Sequence, residues 1–280
     1  MTMTSRFLGP LLFVALLIFA PAALATDGVV LINQNTSVNG LPGCPHAGFP
    51  IIICQAGSYR LSGDLSVPDA DTDGIDINAD NVTLDLNGFT LSGPVTCTPF
   101  KFPLHCTATG KGNGISVVIA SAKNITVRNG TMRGMGSSGI LLSATLGGLV
   151  EDMHVESSGG SMGAGIVLAF GTVTRCTVTA NAGSGIVASG DSTISFNSVT
   201  TNGANGVIGG GLVSNNDISE NGQDGISNAG LILHNSIHAN RGFGINGAGG
   251  FLGNLIGSNS AGTFTSATSM GQNLCNGVAC

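Results

Sequence analysis

A Gly followed by Ile or Val recurs along the chain, at Gly114-Ile115, Gly139-Ile140, Gly165-Ile166, Gly185-Ile186, Gly206-Val207, Gly225-Ile226 and Gly244-Ile245. The steps are 25, 26, 20, 21, 19 and 19 residues. A second frame, apolar-x-x-x-x-apolar, runs in step with it: LNGFTL (86–91), VRNGTM (127–132), VEDMHV (150–155), VTRCTV (173–178), ISFNSV (194–199), VSNNDI (213–218), ILHNSI (232–237) and FLGNLI (251–256). Self-similarity at a period of roughly 20 residues marks a chain of stacked units, each burying its apolar face against its neighbours.

The columns of the frame say what the units are. Its fourth position holds Met153, Cys176, Asn197, Asn216, Asn235 and Asn254. Three residues past the frame lie Asn181, Asn202, Asn221, Asn240 and Asn259. Identical amides at constant register can stack and hydrogen-bond to one another, and Asn tolerates the left-handed backbone of tight turns. No helical periodicity is evident after residue 26, and the Leu-rich consensus of leucine-rich repeats is missing. Gly is 45 of 280 residues, but without a G-X-Y period that would indicate collagen. At 42% hydrophobic and 9% charged, the chain is not of disordered composition. Short strands joined by Gly and Asn turns predict a parallel β-solenoid of about ten coils, roughly 45–50 Å long at the ordinary strand spacing.

Residues 1–25 read as a cleaved signal peptide: Arg6, an apolar run from Phe7 to Ala20, and the small-x-small triplet Ala23-Leu24-Ala25. No other segment is long and apolar enough to span a bilayer, so the mature protein is expected to be secreted or periplasmic. The seven cysteines agree with an oxidising compartment. Their close spacing suggests local disulfides Cys44–Cys54, Cys97–Cys106 and Cys275–Cys280, with Cys176 a buried free thiol. Locality is the ground for this pairing among those that six cysteines allow. Open solenoid ends need covers. Residues 26–60 are therefore read as an N-terminal cap, 61–256 as coils with a disulfide-closed loop near 94–112, and 257–280 as a C-terminal cap.

The segments NVTLDLNGFTLSG (81–93), NITVRNGTMRGMGSSGI (124–140) and GFPIIICQAGSYRLSGDL (48–65), with the ending NLCNGVAC, resemble the secreted right-handed parallel β-helix repeat proteins of the pectin-lyase-like fold, in an uncharacterised bacterial group. The resemblance implies a right-handed, all-β, single-domain solenoid. It leaves function open, because that fold hosts lyases, hydrolases, epimerases, adhesins and proteins without known activity.

Candidate chemistry is sparse. The net charge of −6 comes with no basic stripe, so nucleic acid is not expected as a partner. The NTD, paired-Asp, GHG and R-x-K segments of β-helical polygalacturonases are not found. One charged cluster emerges from the frame: Arg128 with Glu151, Asp152 with Arg175, and Arg133 with Glu156, with His154 between. Its plain reading is three cross-coil ion pairs on a solvated face. Its sharper reading is an acid–base patch of Arg133, His154, Arg175 and Asp152.

The stretch DADTDG (69–74) begins like an EF-hand calcium loop through Asp69, Asp71 and Asp73. Asp76 then stands where an apolar residue is usual, and Asp80 where a bidentate Glu is needed. Gly74-Ile75 also repeats the punctuation of the later coils, so a turn entering the first full coil is expected. No cofactor is expected, calcium at this loop being the alternative. Two functions follow: a non-catalytic solenoid binding a polysaccharide or cell-surface glycan, or a polysaccharide-active enzyme, a uronate lyase or epimerase. The oligomeric state is not legible.

Overall fold

The structure is a computed structural model that describes residues 28–44, 46–98, 104–107, 110–160 and 163–280. The signal-peptide reading of residues 1–25 lies outside the described residues. The remainder is a stack of parallel coils whose strands form three sheets along the axis. The first sheet runs through Ile51–Ile53, Ile75–Ile77 and Ile115–Val117 and on to Phe264. The second runs through Val30–Ile32, Gly57–Leu61 and Val82–Asp85. The third runs through Leu65–Ser66 and Thr90–Ser92 to Leu274–Cys275.

Register confirms the Gly-Ile column. Ile75 pairs with Ile115, Ile115 with Ile140, Ile140 with Ile166, Ile166 with Ile186, Ile186 with Val207, Val207 with Ile226 and Ile226 with Ile245. These side chains point inward and are fully buried. The second and third inner columns follow the apolar frame, as in Val127↔Val150 and Met132↔Val155. The frame fails once. Leu84, not Leu86, pairs with Val127, while Leu91 pairs with Met132 as expected. Two extra residues swell the corner of that coil, and Leu86 is buried within it.

The ladder also reaches into both segments read as caps. Ile51 already pairs with Ile75, and Phe264 with Ile245. Residues nearer the N-terminus add a short helix, Thr36–Asn39, and place Leu41 and Cys44 against the core. At the far end the chain folds back antiparallel, Val278–Ala279 on Leu274–Cys275, closing the last edge of the third sheet. The three local disulfides form as expected, Cys44–Cys54, Cys97–Cys106 and Cys275–Cys280.

Two buried rows of Asn hold the corners. Between the second and third sheets one residue per coil turns with left-handed φ, and the next side chain enters the interior. There Asn216 Nδ2 shares its hydrogens among Ile194 O (2.9 Å), Ser214 O (3.0 Å) and Asn235 Oδ1 (2.9 Å). Its Oδ1 accepts from Asn197 N (2.9 Å) and Nδ2 (3.0 Å). The row runs from Cys176 through Asn197, Asn216, Asn235 and Asn254 to Asn273. A second row, Asn181, Asn202, Asn221, Asn240 and Asn259, does the same between the third and first sheets. A buried amide is stabilising only when its donors and acceptors are met, and this stacking meets them coil after coil.

The second row also explains the Gly of the Gly-Ile punctuation. A Cβ on Gly206 would stand 2.7 Å from Gly225 O and 2.8 Å from Asn221 Nδ2; on Gly225, 2.7 Å from Gly244 O and 2.9 Å from Asn240 Nδ2. These glycines leave room for the amide stack beside them.

Replacing Asn216 by Ala removes one rung and strands the donors of Asn197 in a dry corner. We expect a loss of roughly 1–3 kcal/mol in unfolding free energy by urea titration, with the fold retained.

Candidate functional site

The outward positions of the second sheet carry a charge ladder. Arg60, Asp85, Arg128 and Glu151 are register partners on successive coils. Side chains one coil apart stand about 4.8 Å from each other, so alternating sign is the stable order. Asp85 is the hub. It lies 3.8 Å from Arg60 and 3.4 Å from Arg128, and accepts from Asn87 N (2.8 Å) and Asn129 Nδ2 (3.1 Å). Glu151 instead meets Arg175 (2.6 Å), which also holds Asp152 (2.8 Å). The Arg175 hydrogen bond keeps the Asp152 carboxyl below its ordinary range, and the two carboxylates raise the Arg175 guanidinium above its own.

Of the three expected ion pairs, only Asp152–Arg175 forms. Arg128 turns to Asp85, which is nearly buried and supplies a second cation, Arg60, with the same partner. Glu156 is engaged by His154 at 3.3 Å. Arg133 is its register partner but forms no ion pair among the described residues. Arg133 and Glu156 instead line a groove of about 410 Å³ with Ser92, Thr96 and Cys97, beside the disulfide hairpin. The four residues read as an acid–base patch are thus split. Arg175 and Asp152 occupy the corner between the second and third sheets, while His154 and Arg133 occupy the outer face of the third.

Cys176 takes an Asn position in the first ladder. Its amide donates to Asn197 Oδ1 (2.9 Å), and its thiol approaches Thr174 O (3.3 Å). It is a buried free cysteine whose pKa burial pushes up to about 12, which makes it a poor nucleophile.

The carboxylates of DADTDG are engaged by backbone. Asp69 Oδ1 accepts from Asp71 N (2.9 Å) and Thr72 Oγ1 (2.8 Å), closing its own turn. Asp71 Oδ1 accepts from Lys111 N (3.1 Å), and Asp73 Oδ1 from Asn113 N (2.6 Å). In that column Asn113 Oδ1, Asn205 Oδ1 and Asp224 Oδ1 likewise accept an N–H from the following coil. Asp73 is therefore a coil-stacking residue. No three His, Cys, Asp or Glu residues among the described ones are grouped so as to hold a metal ion.

Sequence reasoning passed over Asp76 as a strand residue. Its carboxyl hydrogen-bonds to Asp73, and its Oδ1 is buried without a partner. Burial, with the neighbouring Asp73 charge and that hydrogen bond, raises its pKa to about 7. The pair opens on a groove of about 400 Å³ lined also by Phe49, Pro50, Asp71, Lys111 and Asn113. The alternation IDI could signal an outward Asp, but not the groove it shares with Phe49 and Pro50.

The outer face of the third sheet is rich in hydroxyls. One row aligns Thr131, His154, Thr177, Ser198, Asp217 and Ser236; the next aligns Arg133, Glu156, Thr179 and Thr200. Thr200 Oγ1 and Thr179 Oγ1 are 3.3 Å apart. Two His–carboxylate contacts, His154–Glu156 and His238–Asp217, each 3.3 Å, lie along it.

The profile of the family described as right handed beta helix region matches residues 71–211. The chain belongs to that family, and its fold is a right-handed β-helix. No curated protein matches the sequence. Among solved structures, the Dettilon tailspike protein gp208 is 15% identical with a TM-score of 0.46, covering 78% of this chain and 48% of that one. Pectate lyase Pel9A is 13% identical with a TM-score of 0.44, covering 82% and 69%. The A-module of Azotobacter vinelandii mannuronan C-5 epimerase AlgE6 is 14% identical with a TM-score of 0.29, covering 80% and 71%. This chain spans about half the length of the Dettilon tailspike.

Native Asp76 holds its proton up to about pH 7, whereas an unfolded aspartate releases it near pH 4. The native state therefore binds more protons between those values, and stability falls as pH rises through that window. A series of thermal midpoints from pH 4 to 8 should show the decline, and Asp76→Asn should flatten it.

Proposed function

We propose that the chain is an exported, non-catalytic solenoid that binds polysaccharide or a cell-surface glycan along the outer face of the third sheet. The observation that carries this reading is the row of outward positions at one-coil spacing in which four of six are hydroxyls, Thr131, Thr177, Ser198 and Ser236, with His154 and Asp217 between them and the neighbouring pair Thr179 and Thr200 beside it. Hydroxyls set one or two coils apart on a rigid sheet suit a ligand that itself repeats hydroxyls. The rigidity limits the ordering cost of binding. The local disulfides and the apolar leader support export. Among the described residues no helix is long and apolar enough to cross a membrane.

One observation favours the second reading, a polysaccharide-active enzyme of the uronate lyase or epimerase kind. A carboxyl poised near neutrality, as Asp76 is beside Asp73, suits proton transfer at physiological pH. The groove with Lys111 and Asn113 would be its setting.

A glycan array run with and without calcium, followed by product analysis of each hit, separates the two. Retention of an unchanged glycan is the expected result. Release of shortened, unsaturated or epimerised products, abolished by Asp76→Asn, would replace this reading with the second.

A further inference from the structure

The corner between the second and third sheets presents one residue per coil to solvent: Asn129, Asp152, Arg175, Phe196, Asn215 and His234. All have left-handed backbone, with φ 59° at Phe196. Asn and Asp adopt that conformation readily, because their short polar side chains bond locally. A bulky aromatic there is an outlier. Phe196 is also 63% exposed, and the core cluster does not include it. An aromatic ring in a costly backbone conformation, contributing nothing to the core, points to a use outside the fold.

Its neighbours say what kind of use. On one side Arg175 is closed off by Glu151 (2.6 Å) and Asp152 (2.8 Å), so no free cation is offered. On the other side Asn215 is exposed, and its side-chain amide meets no protein partner among the described residues. Phe196 leads directly into Ser198–Thr200 of the hydroxyl face. The corner thus sets an apolar ring, a free amide carrying donors and an acceptor, and a row of hydroxyls side by side.

We propose that Phe196 and Asn215 form a subsite for a neutral pyranose unit. The electron-rich face of the ring receives the C–H face of the sugar, and the amide bonds two of its hydroxyls. A uronate is disfavoured, because its carboxylate would have to draw Arg175 away from two existing partners. This subsite rests on the carbohydrate-binding reading and gives that reading a position and a ligand class.

The test compares the parent with Phe196→Asn and Phe196→Trp on a panel of neutral gluco-, galacto-, manno- and xylo-oligosaccharides, with oligogalacturonate and oligoalginate alongside. Affinity is read by calorimetry, and folding is checked by thermal unfolding. We expect the parent to bind a neutral member and Phe196→Asn to bind it about tenfold more weakly. The Asn variant should unfold at the same or a higher temperature, since Asn suits the left-handed corner. Phe196→Trp should keep the affinity. Parent-like binding by a folded Phe196→Asn would overturn the subsite and leave the carbohydrate reading standing, as would a parent that binds only the uronate oligosaccharides. A parent that binds no glycan would overturn both.

Discussion

Stacked amides at two corners set the terms for the rest of this fold. A coil that reverses direction three times must turn sharply, and sharp turns expose backbone carbonyls to the interior. Asn197, Asn216, Asn235 and Asn254 satisfy those carbonyls from within, while each is satisfied by the amide of the next coil. A hydrogen bond in a low-dielectric interior is strong, and an unmet one is costly. The stack therefore favours one register over its alternatives: a slip by one residue would bury unpaired amides and turn Val and Ile outward.

Other features follow from that constraint. The residue before each Asn of the two stacks must turn left-handed, which is why Arg175, Phe196, Asn215 and His234 project outward in one row. Gly165, Gly185, Gly206, Gly225 and Gly244 of the Gly-Ile punctuation stand beside the second stack, where any side chain would collide with it. Where the stacks have not begun, other groups fill the corners. Cys176 supplies a thiol in place of an amide, and Ser158 is buried with its hydroxyl unpaired. Surface chemistry obeys the same stacking. Because like positions recur at one-coil spacing, hydroxyls can repeat in rows while charges must alternate, as Arg60, Asp85, Arg128 and Glu151 do.

Much of this is legible in the sequence, because a stack of coils repeats its demands at a nearly fixed interval. The inner columns, the Asn stacks, the three disulfides and the burial of Cys176 all follow from spacing. The errors have separate causes. The two-residue swelling at Leu86 hides Asp85 from the column of Arg128, so Arg128 looks like the partner of Glu151. Asn273 follows Asn254 by the same 19 residues as the earlier rungs and ends the first stack, but it lies in the segment 257–280 read as a cap. Asp76 escapes notice because the groove it shares with Phe49, Pro50 and Lys111 is built from residues remote in sequence from the strand that carries it. The exposed position of Phe196 is a property of the corner geometry, which the spacing alone does not reveal.

The functional reading rests on rigidity: rows of hydroxyls and an aromatic corner are useful to a repeating ligand only if the coils keep their register. Native-state hydrogen exchange measures this directly. The backbone amides of Asn197, Asn202, Asn216, Asn221, Asn235 and Asn240 donate to the neighbouring amide oxygens. They should exchange only through global unfolding, together with the inner Val and Ile columns. Exchange at the rate of Thr98 and Thr107 in the disulfide hairpin would show that the corners open independently, and that the stacked amides do not hold the coil.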